Sequence, residues 1–207
     1  MIQKIKGKKY LINGGLGMIG STIATILVKA GAEVTIVDAM IKPYGANLFN
    51  IEKIKDQVKI RIFDIKNIKD MKKEVENKDV ILNLAGQIAH NDSIINPLYD
   101  AKMNYLYQLN IMECIKQVNP DAKVIFSGSR LQFGKIENIP VDENHISYPE
   151  TPYALHKQTT ENMYQFYNRQ YDIDTVVFRI ANPYGPRGQI KHSKYTIVNF
   201  FIRQALE

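Results

Sequence analysis

The stretch Asn13-Gly14-Gly15-Leu16-Gly17-Met18-Ile19-Gly20 constrains the fold of this chain more than any other. It follows the apolar run Tyr10-Leu11-Ile12 and opens a segment with helical apolar spacing. Glycines at 14, 17 and 20 permit a tight turn from strand into helix and let a ligand approach the backbone. The amides of such a turn converge on one point, where the helix N-terminus favours negative charge. Gly14, Gly17, Met18, Ile19 and Gly20 are therefore expected to seat a pyrophosphate. Asp38 closes a second apolar run, residues 34–37. A carboxylate placed there bonds a ribose 2′-hydroxyl and repels a 2′-phosphate. Together the signals predict a dinucleotide site that prefers NAD to NADP. The alternative is a glycine-rich turn in an unrelated α/β domain, and it loses weight with strand, helix and acid all in place.

Short apolar runs alternate with helical patterns along the whole chain. Strands are expected at 9–12, 33–38, 58–63, 79–84, 122–127 and 174–179, and helices at 18–30, 66–76, 97–118, 152–170 and 194–206. Such alternation implies right-handed crossovers and a doubly wound parallel sheet of the Rossmann type, with ligands beyond the carboxyl ends of the strands. Segments 39–50 and 134–150 are expected to be irregular, the second near the site. The chain stops within the amphipathic pattern of residues 200–207 without a stop signal, which reads as a cut.

Bulk properties exclude several classes. The single cysteine, Cys114, cannot form an internal disulfide and sits in an apolar helical pattern; a reducing, cytoplasmic setting is expected. No apolar run approaches a membrane span, and Lys4, Lys6, Lys8 and Lys9 interrupt any signal-peptide pattern. The net charge of +6 comes from lysines spread along the chain rather than interleaved with aromatics. No nucleic-acid partner is expected, although the field would help attract an anionic small substrate. His90, His145, His156 and His192 lack a metal-ligand spacing, so no metal is expected.

Tyr153 and Lys157 stand at i and i+4, on one helix face. A free tyrosine titrates near 10, too high for a base at neutral pH. A neighbouring ammonium should lower that value, and the pair could then take a proton from an alcohol. Alone, this spacing is common by chance. Ser129, just past the expected fifth strand, adds a hydroxyl able to orient the reacting oxygen.

With these residues in view, the chain from about residue 8 to 207 resembles the extended short-chain dehydrogenase/reductase family, in its nucleotide-sugar epimerase and dehydratase branch. The resemblance implies a catalytic trio of Ser129, Tyr153 and Lys157, the last two also touching cofactor. It implies NAD contacts at Asp64-Ile65, at Leu84-Ala85-Gly86 within Asn83-Leu84-Ala85-Gly86, and at Asn104, the helix asparagine that supports the site. Arg179-Ile180-Ala181-Asn182-Pro183-Tyr184-Gly185-Pro186 resembles the family's R-x-x-N-x-Y-G-P segment, with Asn182 toward substrate, and Arg130 is a second substrate contact. Asn13 replaces a usual threonine, and Phe133 a frequent tyrosine. Arg130 and Leu131 stand where the 4,6-dehydratases carry Asp-Glu, which argues against dehydration. The expected layout is an NAD-binding domain over 1–186, with 187–207 opening a substrate domain that is largely absent. The implied activity is epimerisation of a nucleotide sugar, most simply at C4 through a 4-keto intermediate. A keto-sugar reductase and a catalytically incomplete NAD-binding fragment are the alternatives. Helices 97–118 and 152–170 resemble the family's dimer bundle, which makes a homodimer an expectation.

Overall fold

The computed structural model describes residues 2–42, 44–191 and 197–207. Six strands form one fully parallel sheet: β1 (Lys9–Asn13), β2 (Glu33–Asp38), β3 (Val58–Ile62), β4 (Val80–Asn83), β5 (Lys123–Ser129) and β6 (Thr175–Ile180). Their spatial order is β3-β2-β1-β4-β5-β6, the doubly wound order of a dinucleotide-binding fold. The predicted strands therefore all form, within one or two residues at their ends. The inner strands bury both faces, which explains their nearly continuous apolar runs. Leu11 and Ile12 show why. As neighbours on β1 they point to opposite faces, and each is fully buried in a different core.

One core joins Leu11, Val37, Ile81 and Val124 to α2 (Ile68–Val75), α5 (Tyr107–Val118) and α6 (Pro152–Tyr171). The Tyr164 ring stacks on Phe126 at 4.8 Å there. Cys114 is buried in the same core, as expected. The other core sets Ile12, Ile36 and Leu82 against Ala24 and Leu27 of α1 (Met18–Lys29), and against Ile51 and Ile54. The last two lie on a 3-10 helix, Leu48–Gln57, capped by Asn47. That helix overlaps the end of the segment expected to be irregular.

Other departures are local. The expected helix 97–118 is divided into α4 (Pro97–Ala101), a π turn (Lys102–Leu106) and α5. A short α3 (His90–Ile95), unforeseen from the sequence, precedes it. Residues 134–150 are irregular, as expected, and Asp142 and Glu143 lie on the surface. Phe166 and Tyr171 are substantially exposed and pack edge to face on each other at 5.9 Å. The last described helix is α7 (Ile197–Leu206). His192 and the start of the expected helix 194–206 lie outside the described residues. No helix among the described residues is long and apolar enough to cross a membrane.

Candidate active site

A cleft of about 510 Å³ runs along the carboxyl edge of the sheet. The register of β1, β2, β4 and β5 brings Asn13, Asp38, Asn83 and Ser129 to this edge. Gly14, Gly17, Met18, Ile19 and Gly20 line the cleft at its start. Gly14 has φ +78°, and a Cβ there would lie 2.8 Å from the Ala85 amide nitrogen. The turn can approach β4 this closely only with glycine. Gly17 caps α1 without any side-chain hydrogen bond, so the first-turn amides remain open to an anion.

The loop after β2 holds the glycine turn in shape. Leu16 N donates to Asp38 Oδ2 at 3.0 Å, and Leu16 O accepts from Asn50 Nδ2 at 2.8 Å and Asn47 N at 3.2 Å. Met40 N donates to Asp38 Oδ1 at 2.8 Å. Burial pushes the Asp38 carboxyl up from its ordinary range, and these two amides pull it back. Asp38 therefore orders the turn while lining the cleft. Asp64, Ile65, Leu84, Ala85 and Gly86 continue the wall. This arrangement suits a dinucleotide: an open helix N-terminus over close-packed glycines, with a carboxylate at the end of the next strand.

Asn104 takes a supporting position. It does not border the cleft but stands behind the wall, fully buried in the π turn. Its Nδ2 donates to Gln87 O and to Asp100 Oδ2, both at 3.0 Å. A Cβ on Gly86 would lie 2.5 Å from Asn104 Oδ1. The asparagine supports the wall from behind, bonded to Gln87 O and packed against Gly86.

At the far end of the cleft Ser129, Tyr153 and Lys157 come together, with Arg130 and Asn182 beside them. Arg130 Nε donates to Asn182 Oδ1 at 3.1 Å. Tyr153 and Lys157 are almost fully buried. Lys157 Nζ donates to Ser127 O at 2.9 Å and lies 5.9 Å from the Tyr153 ring centre. Burial dominates the electrostatics of both. It pushes the Tyr153 phenol up to about 12, while the Ser129 hydroxyl favours the phenolate and Asp100 opposes it. It pulls Lys157 down to about 8, against the field of Asp100. Desolvation thus sets the direction of the Tyr153 shift, opposite to the lowering expected from a neighbouring ammonium.

Several supporting residues escaped the sequence reading. Ser129 N donates to Gln132 Oε1 at 2.7 Å, and Gln132 Nε2 donates to Glu161 Oε2 at 2.6 Å. Arg179 grips Glu161 with Nε at 3.0 Å and a second nitrogen at 2.7 Å. The Arg179 guanidinium also lies over Phe133, 4.7 Å from the ring centre. The i+4 step from Tyr153 through Lys157 to Glu161 was the available signal. His156, next to Lys157 in the chain, pairs its Nδ1 with Asp100 Oδ1 at 2.6 Å. Among the described residues no cluster of His, Cys, Asp or Glu could hold a metal ion.

The fold and this cleft define a dinucleotide-binding α/β domain with a serine–tyrosine–lysine centre. The model of the NAD dependent epimerase/dehydratase family matches residues 10–207. The chain belongs to that family. It is 33% identical over 199 residues to a Methanocaldococcus jannaschii protein provisionally named UDP-glucose 4-epimerase, covering 95% of this chain and 63% of the relative. Among solved structures it is similar to a UDP-N-acetylglucosamine 4-epimerase of Methanobrevibacter ruminantium in complex with UDP-N-acetylmuramic acid. The TM-score is 0.90 at 29% identity, over 97% of this chain and 63% of that one. A Thermotoga maritima UDP-glucose 4-epimerase with UDP-glucose gives a TM-score of 0.86 at 27% identity, over 96% of this chain and 63% of that one. The chain thus spans under two thirds of the length of these relatives.

Proposed function

We propose that this chain is the cofactor-binding and catalytic part of an NAD-dependent nucleotide-sugar epimerase acting at C4 of the sugar. The observation that carries the reading is the convergence of Ser129, Tyr153 and Lys157 on one cleft with the glycine turn and Asp38. When bound, NAD would supply the acceptor and later the donor for the hydrogen on the sugar carbon. The chain's residues do the rest. The α1 amides and the glycine turn bind the pyrophosphate, Asp38 accepts from the ribose 2′-hydroxyl, and Lys157 holds the second ribose. Tyr153, ionised, takes the C4 hydroxyl proton as the carbonyl forms and returns it once the keto sugar has turned. Ser129 orients that oxygen. Arg130 and Asn182 meet the substrate's polar groups, and no carboxylate stands at 130 or 131 to expel water.

Burial makes the Tyr153 phenolate costly, so the Lys157 ammonium and the positive ring of an oxidised nicotinamide must together offset desolvation. The relatives named as 4-epimerases favour C4. The test incubates the chain with NAD⁺ and UDP-, GDP-, CDP- and dTDP-sugars, then resolves products and follows NADH. An epimer formed without net NADH supports the reading. Net accumulation of NADH points to a reductase running in reverse, and bound but idle NAD to an incomplete fragment. In the complete protein Tyr153→Phe should lower kcat by at least about 100-fold.

A further inference from the structure

Lys157 is 3% exposed, yet no carboxylate among the described residues lies in ion-pair contact with it. A buried ammonium needs a compensating charge or it sheds its proton. Four acids are buried in the described residues: Asp38, Glu74, Asp100 and Glu161. Glu74 is held by Lys59 and Arg61, and Glu161 by Arg179. Asp38 is bonded by two amides at the glycine turn. That leaves Asp100, wholly inaccessible on α4, which packs against α6. Its Oδ1 pairs with His156, the residue before Lys157, and its Oδ2 accepts from Asn104. Asn104 in turn reaches Gly86, where an added Cβ would lie 2.5 Å from Asn104 Oδ1 and 3.6 Å from Lys157 Nζ.

We propose that Asp100 is a positioning residue for the active site: its carboxylate, fixed by His156 and Asn104, is the counter-charge that keeps the Lys157 ammonium in the cleft wall. The proposal deepens the reading of Lys157 as the group that holds cofactor and assists Tyr153. The charged and titratable groups around the lysine agree with it. From α6 they are Tyr153 and His156, and from α4 Asp100. Glu161, one turn further along α6, is paired with Arg179 of β6, and that pair is internally neutral. Asp100 supports the lysine cation and opposes ionisation of Tyr153. His156 and Asn104 offset part of the cost of burying its charge.

The test follows Lys157 itself rather than turnover. The chain is labelled with ¹³C at lysine Cε, the Lys157 resonance is assigned through Lys157→Arg, and it is titrated across the alkaline range. Asp100→Asn keeps the size and the bond to Asn104 but removes the charge. The Lys157 midpoint should fall by about one pH unit or more. Asp100→Ser, which removes the charge without adding bulk, carries the same expectation and guards against misfolding of the first variant. His156→Gln, which leaves the carboxylate charge, should move the midpoint much less. An unchanged midpoint in the Asp100 variants, or an equal fall in all three, overturns the proposal; the latter traces the effect to packing. NAD⁺ affinity measured on the same samples separates the two readings. Wild-type chain that binds no NAD⁺ sinks the cofactor reading, while the titration still decides the role of Asp100.

Discussion

Lys157 shows how a single buried group writes itself into stability. Its value is about 8 when folded, against an ordinary 10.5. Between those values the unfolded chain binds more protons, so this residue's contribution to stability rises with pH from about 8 upward. Tyr153, pushed up to about 12 from 10.0, works the other way above pH 10. Denaturant titrations should therefore show wild type gaining on Lys157→Met between about pH 8 and pH 10; parallel curves would contradict the assigned burial. Gly86 makes a second residue-level case. Its missing side chain leaves the space that Asn104 Oδ1 occupies. Gly86→Ala should push the asparagine aside and weaken NAD⁺ binding at least about tenfold, roughly 1.4 kcal/mol, as read by calorimetry.

At the scale of elements, the site depends on joints between helices and strands. The π turn in the 97–118 segment adds backbone where Asn104 must reach Gln87 and Asp100. Glu161 ties α6 to β6 through Arg179 and to the turn after β5 through Gln132. The Ser129 turn is thus anchored from two directions. Breaking a buried pair by removing one partner strands the other charge, at about 3–5 kcal/mol. Glu161→Ala should lower stability by an amount of that order in equilibrium unfolding. Arg179→Met combined with Glu161→Leu should recover much of the loss, because apolar groups of similar size need no partner. A similar logic holds at β4. Asn83 Nδ2 donates to the Tyr164 hydroxyl at 2.5 Å in the core, so Tyr164→Phe should cost about 1–3 kcal/mol by orphaning that donor.

For the whole molecule, the cleft makes folding and cofactor binding one equilibrium. Saturation at a hundred times Kd should add about 2.7 kcal/mol to stability. A melting-temperature rise with NAD⁺, and a much smaller one with NADP⁺ at equal concentration, is the expected pattern. Equal shifts would show that Asp38 does not discriminate at the 2′ position. The homodimer expected through segments 97–118 and 152–170 belongs to this scale also. Exposed Leu98 on α4, Leu106 at the end of the π turn and Leu155 on α6 lie within those segments, and sedimentation of the chain should show a species of twice the monomer mass.

What the sequence determined by itself is local and periodic. β-Branched runs specify the six strands, glycines at 14, 17 and 20 specify the turn, and Asp38, Ser129, Tyr153 and Lys157 stand at strand ends or on one helical face. Steric limits and hydrophobic periodicity act over a few residues, so they are legible in one dimension. The tertiary structure decided what depends on distance between segments far apart in the chain. Asp100 and His156 are 56 positions apart, and Gln132 and Glu161 are 29 apart. Nothing in their spacing announces a bond. The direction of the Tyr153 shift was likewise beyond the sequence, because desolvation is set by everything packed around the ring rather than by the lysine four residues on.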